Sequence, residues 1–138
     1  MKEINMYRFI GNSTYKIFFI NNDLDERLYL KEDESYHFGI TDFKKEEIYI
    51  NNNLSNNKKK QTLIHEITHA YINEYGFKST DYFNEEQLCE FMAMQGDNIL
   101  LTSTSVLEEY NIKTKYDVKQ DNEMEEGIDD NKRTKTNE

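Results

Sequence analysis

The sequence predicts a small α+β domain, in which a mostly antiparallel sheet from the first third of the chain packs on two later helices. Short apolar runs separated by turn residues fill residues 4–51, which is typical of strands. Apolar residues then recur at spacings of three and four over residues 57–75 and again over residues 84–101, which is typical of amphipathic helices. The chain of 138 residues is long enough for one domain with a small core.

The strands are predicted in the following order. Residues 4–10 and 15–20 form a pair around a Gly-Asn-Ser turn, and the second is apolar on nearly both faces, which favours a central position. The charge-rich residues 23–35 predict a short helix or an irregular connection. Residues 36–41 and 47–51 are two further short strands, and the alternation in the last one predicts a half-buried or edge strand.

Two helices follow. Ser55 or a neighbouring asparagine can cap the first, and Gly76 is well placed to end it. Asn84 with Gln87 three residues later resembles a capping box at the start of the second helix. Residues 113–138 are mainly Asp, Glu, Asn, Lys and Thr with little periodicity. We therefore expect a folded domain over residues 1–110 and a flexible acidic tail over residues 111–138.

Composition narrows the class of protein. A formal net charge of −10 disfavours nucleic acid or anionic lipid as a direct partner. The single cysteine excludes an internal disulfide and fits a reducing compartment. No secretory signal and no long apolar run is evident, so we expect a cytoplasmic protein without a membrane span.

The strongest functional signal is the run His65-Glu66-Ile67-Thr68-His69, an H-E-x-x-H pattern in the first predicted helix. Since four residues turn a helix through about 400°, both imidazoles lie on one face and can reach one ion at roughly 2.0–2.1 Å. Glu66 lies about 100° round the helix, where it can reach a water on that ion. A helix with two exposed histidines beside an ordinary surface glutamate, and no metal site, would show the same H-E-x-x-H pattern. The pattern nevertheless favours a zinc site with Glu66 as general base.

A catalytic zinc ion usually has three protein ligands, so the motif needs a third. The second predicted helix offers Glu85, Glu86, Cys89 and Glu90. Glu86 and Glu90 are one turn apart, so one could bind the metal while the other orients a histidine. Cysteines such as Cys89 are more often small buried residues than ligands. His37, on a predicted strand, could polarise a substrate carbonyl or supply the third ligand, although a structural histidine is the simpler interpretation.

Two segments carry a resemblance to a known group of enzymes. Residues 63–70, with the sequence Leu-Ile-His-Glu-Ile-Thr-His-Ala, resemble the active-site helix of zincin metallopeptidases. Residues 86–93, with the sequence Glu-Gln-Leu-Cys-Glu-Phe-Met-Ala, are similar to the glutamate-bearing helix of the ImmA/IrrE family, which typically reads E-x-x-A-N-x-F-A. Small SprT-like and phage-encoded zinc peptidases look similar too. Thr68 departs from the glycine often found there in ImmA-type motifs.

The resemblance implies a minimal zincin-like domain and a zinc metalloendopeptidase. One Zn²⁺ ion would be held by His65, His69 and Glu86, with Glu90 as the partner of a ligand histidine. Glu66 would activate the water that hydrolyses the peptide bond. The substrate would be a protein or peptide, and specifically a cytoplasmic protein such as a repressor.

The resemblance also gives roles to residues outside the motif. The strand of residues 47–51 resembles the zincin edge strand that holds substrate in an extended form. Apart from the resemblance, a tyrosine such as Tyr82 or Tyr71 could assist the oxyanion, and the sequence does not select between them.

The alternative to a peptidase is an acidic binding module that sequesters a partner on the same scaffold, with a structural metal or none. Replacement of Glu66 separates the two hypotheses, because only the peptidase needs its carboxylate.

Overall fold

A four-stranded sheet, a two-stranded hairpin and two helices form the part of the chain that the computed structural model describes, residues 2–75 and 84–112. The strands are β1 (Ile4–Ile10), β2 (Ser13–Ile20), β3 (Tyr29–Leu30), β4 (Ser35–Tyr36), β5 (Gly39–Asp42) and β6 (Glu47–Asn51). The large sheet has the order β1-β2-β6-β5, and its only parallel pair within these residues is β2 with β6. The hairpin consists of β3 and β4. The α+β class and the mostly antiparallel sheet are confirmed.

The helices begin where the sequence predicts. Helix α1 (Asn56–Glu74) is capped by the Ser55 side chain, which accepts a hydrogen bond from the Lys58 amide. Helix α2 (Glu85–Glu109) starts with the predicted capping box. It runs eight residues past the predicted end at residue 101 because its buried side extends through Val106 and Leu107. The hydroxyl of the buried Ser103 donates to the Ile99 carbonyl, so this polar residue does not interrupt the helix.

Both faces of the sheet are covered at its central strands, β2 and β6. Helices α1 and α2 pack on one face, around Ile17, Phe19 and Ile48. A smaller cluster on the other face joins Phe18, Ile20, Tyr49 and Leu28, and Leu28 comes from a short 3-10 helix of residues 26–28 in the predicted irregular connection. Two covered faces explain why β2 is apolar on both faces over residues 17–20, as a central strand should be.

Helix α1 is also tied to the β1–β2 turn at its last residue. Gly11 has a φ of 63° in this turn, a conformation that glycine adopts without strain. The Ser13 hydroxyl donates to Oε1 of Glu74 at 3.0 Å, and the Tyr15 hydroxyl donates to Oε2 at 3.1 Å. Burial, followed by this bond, raises the pKa of Tyr15 to about 12. These contacts fix the direction in which α1 crosses the sheet.

The prediction for the edge strand was wrong. Strand β6 (Glu47–Asn51) is an interior strand between β2 and β5, and its last four residues are buried. The edge is β5, and the predicted strand of residues 36–41 is divided, because Ser35–Tyr36 pairs with β3 instead. The edge strand beside α1 is therefore Gly39–Asp42.

Neither of the two helices in the described ranges is both long and apolar enough to cross a bilayer. The predicted cap at Gly76 and the tail from residue 113 onward lie outside the described residues. The boundary between a domain of residues 1–110 and a tail of residues 111–138 stays a prediction.

Candidate metal centre

His65 and His69 lie on successive turns of α1, on its exposed side, and their side chains converge. Their Nε2 atoms are 3.2 Å apart, and the ring centroids are 4.8 Å apart. Two nitrogens bound to one tetrahedral zinc ion at 2.0–2.1 Å would be separated by about 3.3 Å. The pair therefore fits two ligand positions of a single ion.

Glu66 points away from solvent, between α1 and the edge strand. It is only 6% exposed, whereas its neighbour His65 is exposed. The Thr41 hydroxyl donates to Oε1 of Glu66 at 2.7 Å and also lies 3.1 Å from the main-chain oxygen of Glu66. No described residue donates to Oε2. One carboxylate oxygen is thus anchored to β5, which leaves the other to accept a proton.

Gly39 makes this arrangement possible because β5 and α1 approach closely there. A Cβ atom at position 39 would lie 2.7 Å from Cγ2 of Thr62 and 2.9 Å from Cγ of Glu66. Real Cβ atoms do not approach other atoms so closely, so a side chain would push the strand and helix apart. The absence of a side chain at Gly39 lets Thr41, two residues later on the same face, reach Glu66.

Two recesses open beside these residues, and both are bordered by His37, Gly39, His65 and Glu66. The first, about 320 Å³, extends toward Phe38. The second, about 280 Å³, extends toward Phe43, Leu30 and Ile40, and His69 also borders it. The motif therefore lies where two cavities meet on the surface of the domain.

His37 borders both recesses, but it is bound to the β3–β4 hairpin rather than to the histidine pair. Its Nε2 lies 2.8 Å from Oδ2 of Asp33 and 3.3 Å from the Ser35 hydroxyl. The hydrogen bond from Ser35, with a further contribution from His37, holds the pKa of Asp33 below its usual value. His37 thus lies beside the site, where it lines the two recesses.

The described part of the chain does not bring a third ligand to the histidines. Within residues 2–75 and 84–112, no three His, Cys, Asp or Glu side chains are grouped so that they could hold a metal ion. Glu86 lies in the first turn of α2 and is exposed, as are Glu85, Cys89 and Glu90. The buried residues of α2 begin only at Phe91. The assignment of Glu86 as a ligand stays a prediction.

Of the two tyrosines considered for the oxyanion, the structure places Tyr71 between the two helices. The Tyr71 hydroxyl is 2.8 Å from the Thr102 hydroxyl and 3.4 Å from the Asn98 carbonyl, so it joins α1 to α2. Tyr82 lies outside the described residues.

Gly39 and Thr41 belong to the site but were not predicted from the sequence. Their roles depend on contacts between β5 and α1, which no local pattern encodes.

A comparison with known protein families identifies the family of this chain. Residues 16–117, well over half of the chain, match the family model of the IrrE N-terminal-like domain, a family of peptidases. The match spans β2 through α2 and includes the H-E-x-x-H helix. No curated protein and no solved structure matches significantly. The predicted resemblance to the ImmA/IrrE type is thereby confirmed. The chain belongs to the IrrE N-terminal-like domain family and contains a metallopeptidase-like domain.

Proposed function

We propose that this protein is a zinc-dependent endopeptidase that hydrolyses a peptide bond in a specific cytoplasmic protein. The observation that carries the proposal is the convergence of the His65 and His69 Nε2 atoms, 3.2 Å apart, beside the buried carboxylate of Glu66. Two imidazoles at this distance suit one zinc ion, and a carboxylate on the adjoining flank of the helix suits a general base. Membership of a peptidase family supports the same reaction class.

The residues of the site have separate roles in this reaction. His65, His69 and Glu86 would hold the zinc ion. When bound, that ion supplies Lewis acidity that polarises the scissile carbonyl and makes a water more acidic. Glu66 takes a proton through its free oxygen and returns it to the leaving amine. Thr41 holds the other oxygen, so the carboxylate is already oriented when substrate arrives.

The edge of the sheet offers a place for the substrate main chain. The Phe38 carbonyl accepts a hydrogen bond from the Asn51 amide, so the main-chain groups of Phe38 face β6. Because these directions alternate along an antiparallel strand, the main-chain groups of Gly39 and Thr41 face the open edge. An extended peptide can therefore pair with β5 beside the histidines.

The zinc assignment predicts a defined pattern of metal affinity. Purified wild-type protein should bind one zinc ion per chain, and His65→Ala or His69→Ala should weaken binding by more than about a hundredfold, since second-sphere changes alone cost about 10–100-fold. Glu86→Ala should weaken binding comparably, while the matched change Glu90→Ala should have a smaller effect. Competition with a zinc chelator, followed by elemental analysis, measures each affinity.

The outcomes of this experiment separate the parts of the proposal. If Glu90→Ala abolishes binding and Glu86→Ala does not, then Glu90 is the ligand. If the wild-type protein binds no zinc, or the histidine variants bind it normally, then the zinc peptidase proposal is wrong.

The position of Thr41 predicts a loss of catalytic rate without loss of metal. Thr41→Val keeps the shape of the side chain but removes the donor to Glu66. Hydrogen bonds to charged groups contribute about 1.5–3 kcal/mol, so we expect kcat to fall by about tenfold or more. Zinc affinity should not change, and Thr41→Ser should restore most of the rate because it restores the hydroxyl. Cleavage of a proteome-derived peptide library, followed by mass spectrometry, measures the rates. A rate that falls in Thr41→Ser but stays at the wild-type level in Thr41→Val would show that the methyl group, not the hydroxyl, matters.

A further inference from the structure

Two exposed phenylalanines stand at the two ends of the edge strand. Phe38 directly precedes β5 and is 54% exposed, and Phe43 directly follows it and is 44% exposed. Each therefore leaves a large apolar surface in water, which is unfavourable unless something covers it.

The two phenylalanines belong to different recesses. Phe38 borders the recess of about 320 Å³ and Phe43 the recess of about 280 Å³, while His65 and Glu66 border both. Leu30 and Ile40 add apolar wall on the Phe43 side. The proposed reaction centre thus lies between two recesses, each with an aromatic side chain at its outer end.

The open edge of β5 connects the two recesses. Phe38 and Phe43 flank the four residues of β5 and are five positions apart, a separation of at most about 17 Å for a fully extended chain. A peptide paired with that edge would pass the histidines near its middle and would place side chains about five positions apart beside the two rings.

We propose that the substrate is an extended protein segment with an apolar side chain on each side of the scissile bond, about five residues apart, one seated against Phe38 and the other against Phe43. This inference rests on the proposed function for the location of the bond that is cut. It names the class of segment that would be selected. Main-chain pairing with β5 would be independent of sequence, and the two rings would supply the preference.

Binding can be measured without cleavage by using the full chain with Glu66→Gln, loaded with zinc. The probes are three fluorescein-labelled 14-residue peptides of Gly, Ser, Asn and Thr. The first carries two leucines five positions apart, the second carries the same two leucines side by side, and the third carries none. We expect the first to bind about tenfold more tightly than the second, because only the first can fill both recesses.

Variants test the two rings separately. In the Glu66→Gln background, Phe38→Ala and Phe43→Ala should each remove most of the advantage of the first peptide. Phe9→Ala is the matched control, because Phe9 is 80% exposed on β1, at the opposite edge of the sheet, and should have no effect. Equal affinity for the three peptides, no binding at all, or an advantage that survives both ring variants would overturn the inference.

Cleavage by the zinc-loaded wild-type protein separates this inference from the proposed function. Suppose that the first peptide binds with the expected preference, but that neither this peptide nor any member of a proteome-derived peptide library is cut. The inferred preference for two spaced apolar side chains then holds, and the peptidase proposal fails. If the library is cut without enrichment of apolar residues on both sides of the cleaved bonds, then the protein is a peptidase and the inference fails.

Discussion

Glu66→Gln should reduce peptide cleavage by a factor of roughly 10²–10⁴, the usual contribution of a general acid–base residue. Glutamine has nearly the same shape and can still accept the hydrogen bond that Thr41 donates to Oε1 of Glu66, but its amide cannot take a proton from water. We therefore expect the variant to keep its thermal stability and its zinc, so that the loss is confined to chemistry. Library cleavage, zinc content and a thermal melt on the same preparation measure the three quantities.

Glu108→Gln provides the matched control for this experiment. Glu108 is an exposed glutamate in the last turn of α2 and borders neither recess, so its replacement makes the same chemical change outside the site. It should leave cleavage at the wild-type level. If Glu66→Gln also cleaves at that level, the peptidase proposal is contradicted. A Glu66→Gln protein that retains the full biological effect would instead favour the acidic binding module.

The sequence predicted what depends on neighbours along the chain. Helix spacing places His65 and His69 on one face of α1, and their observed convergence needs no distant contact. The caps at Ser55 and Asn84 are likewise local, because each side chain accepts a hydrogen bond from an amide three residues later. For the same reason, the strands of the large sheet could be located individually from their apolar runs, whereas the two-residue strand β3 was not predicted.

The sequence could not predict what depends on pairing. Ile48 and Ile50 alternate with Tyr49, which suggested one exposed face, yet Tyr49 packs beside Phe18 on the neighbouring strand with ring centroids 5.6 Å apart. The second cluster of the fold buries this tyrosine, and turn signals do not reveal that such a layer exists. The proposed role of Glu86 has the same difficulty, because it requires a contact between two helices rather than a spacing within one.

Gly39→Ala should destabilise the fold by about 1–3 kcal/mol, the usual cost of overpacking, and should lower cleavage by about tenfold or more. The new methyl group would meet Thr62 at 2.7 Å and Glu66 at 2.9 Å, so α1 or β5 has to move. That movement would separate Thr41 from the carboxylate it anchors. Urea unfolding measures the stability, and library cleavage well below the melting temperature measures the activity.

Gly96→Ala is the control for adding a methyl group at a buried glycine. Gly96 lies within α2, where the new atom would meet Cε of Met92 at 3.3 Å, the flexible end of a side chain. Alanine also has the higher helix propensity, so we expect unchanged cleavage and a stability equal to wild type or higher by up to about 1 kcal/mol.

A double variant distinguishes lost stability from lost positioning. Adding Thr62→Ser to Gly39→Ala removes the Cγ2 atom that makes the closer of the two clashes, but leaves the contact with Glu66. Stability should therefore recover in part, whereas cleavage should stay low, because the carboxylate is still displaced. Recovery of cleavage in proportion to stability would mean that Gly39 acts only on the fold. Wild-type cleavage in Gly39→Ala itself would mean that close approach of β5 to α1 is not needed to position Glu66.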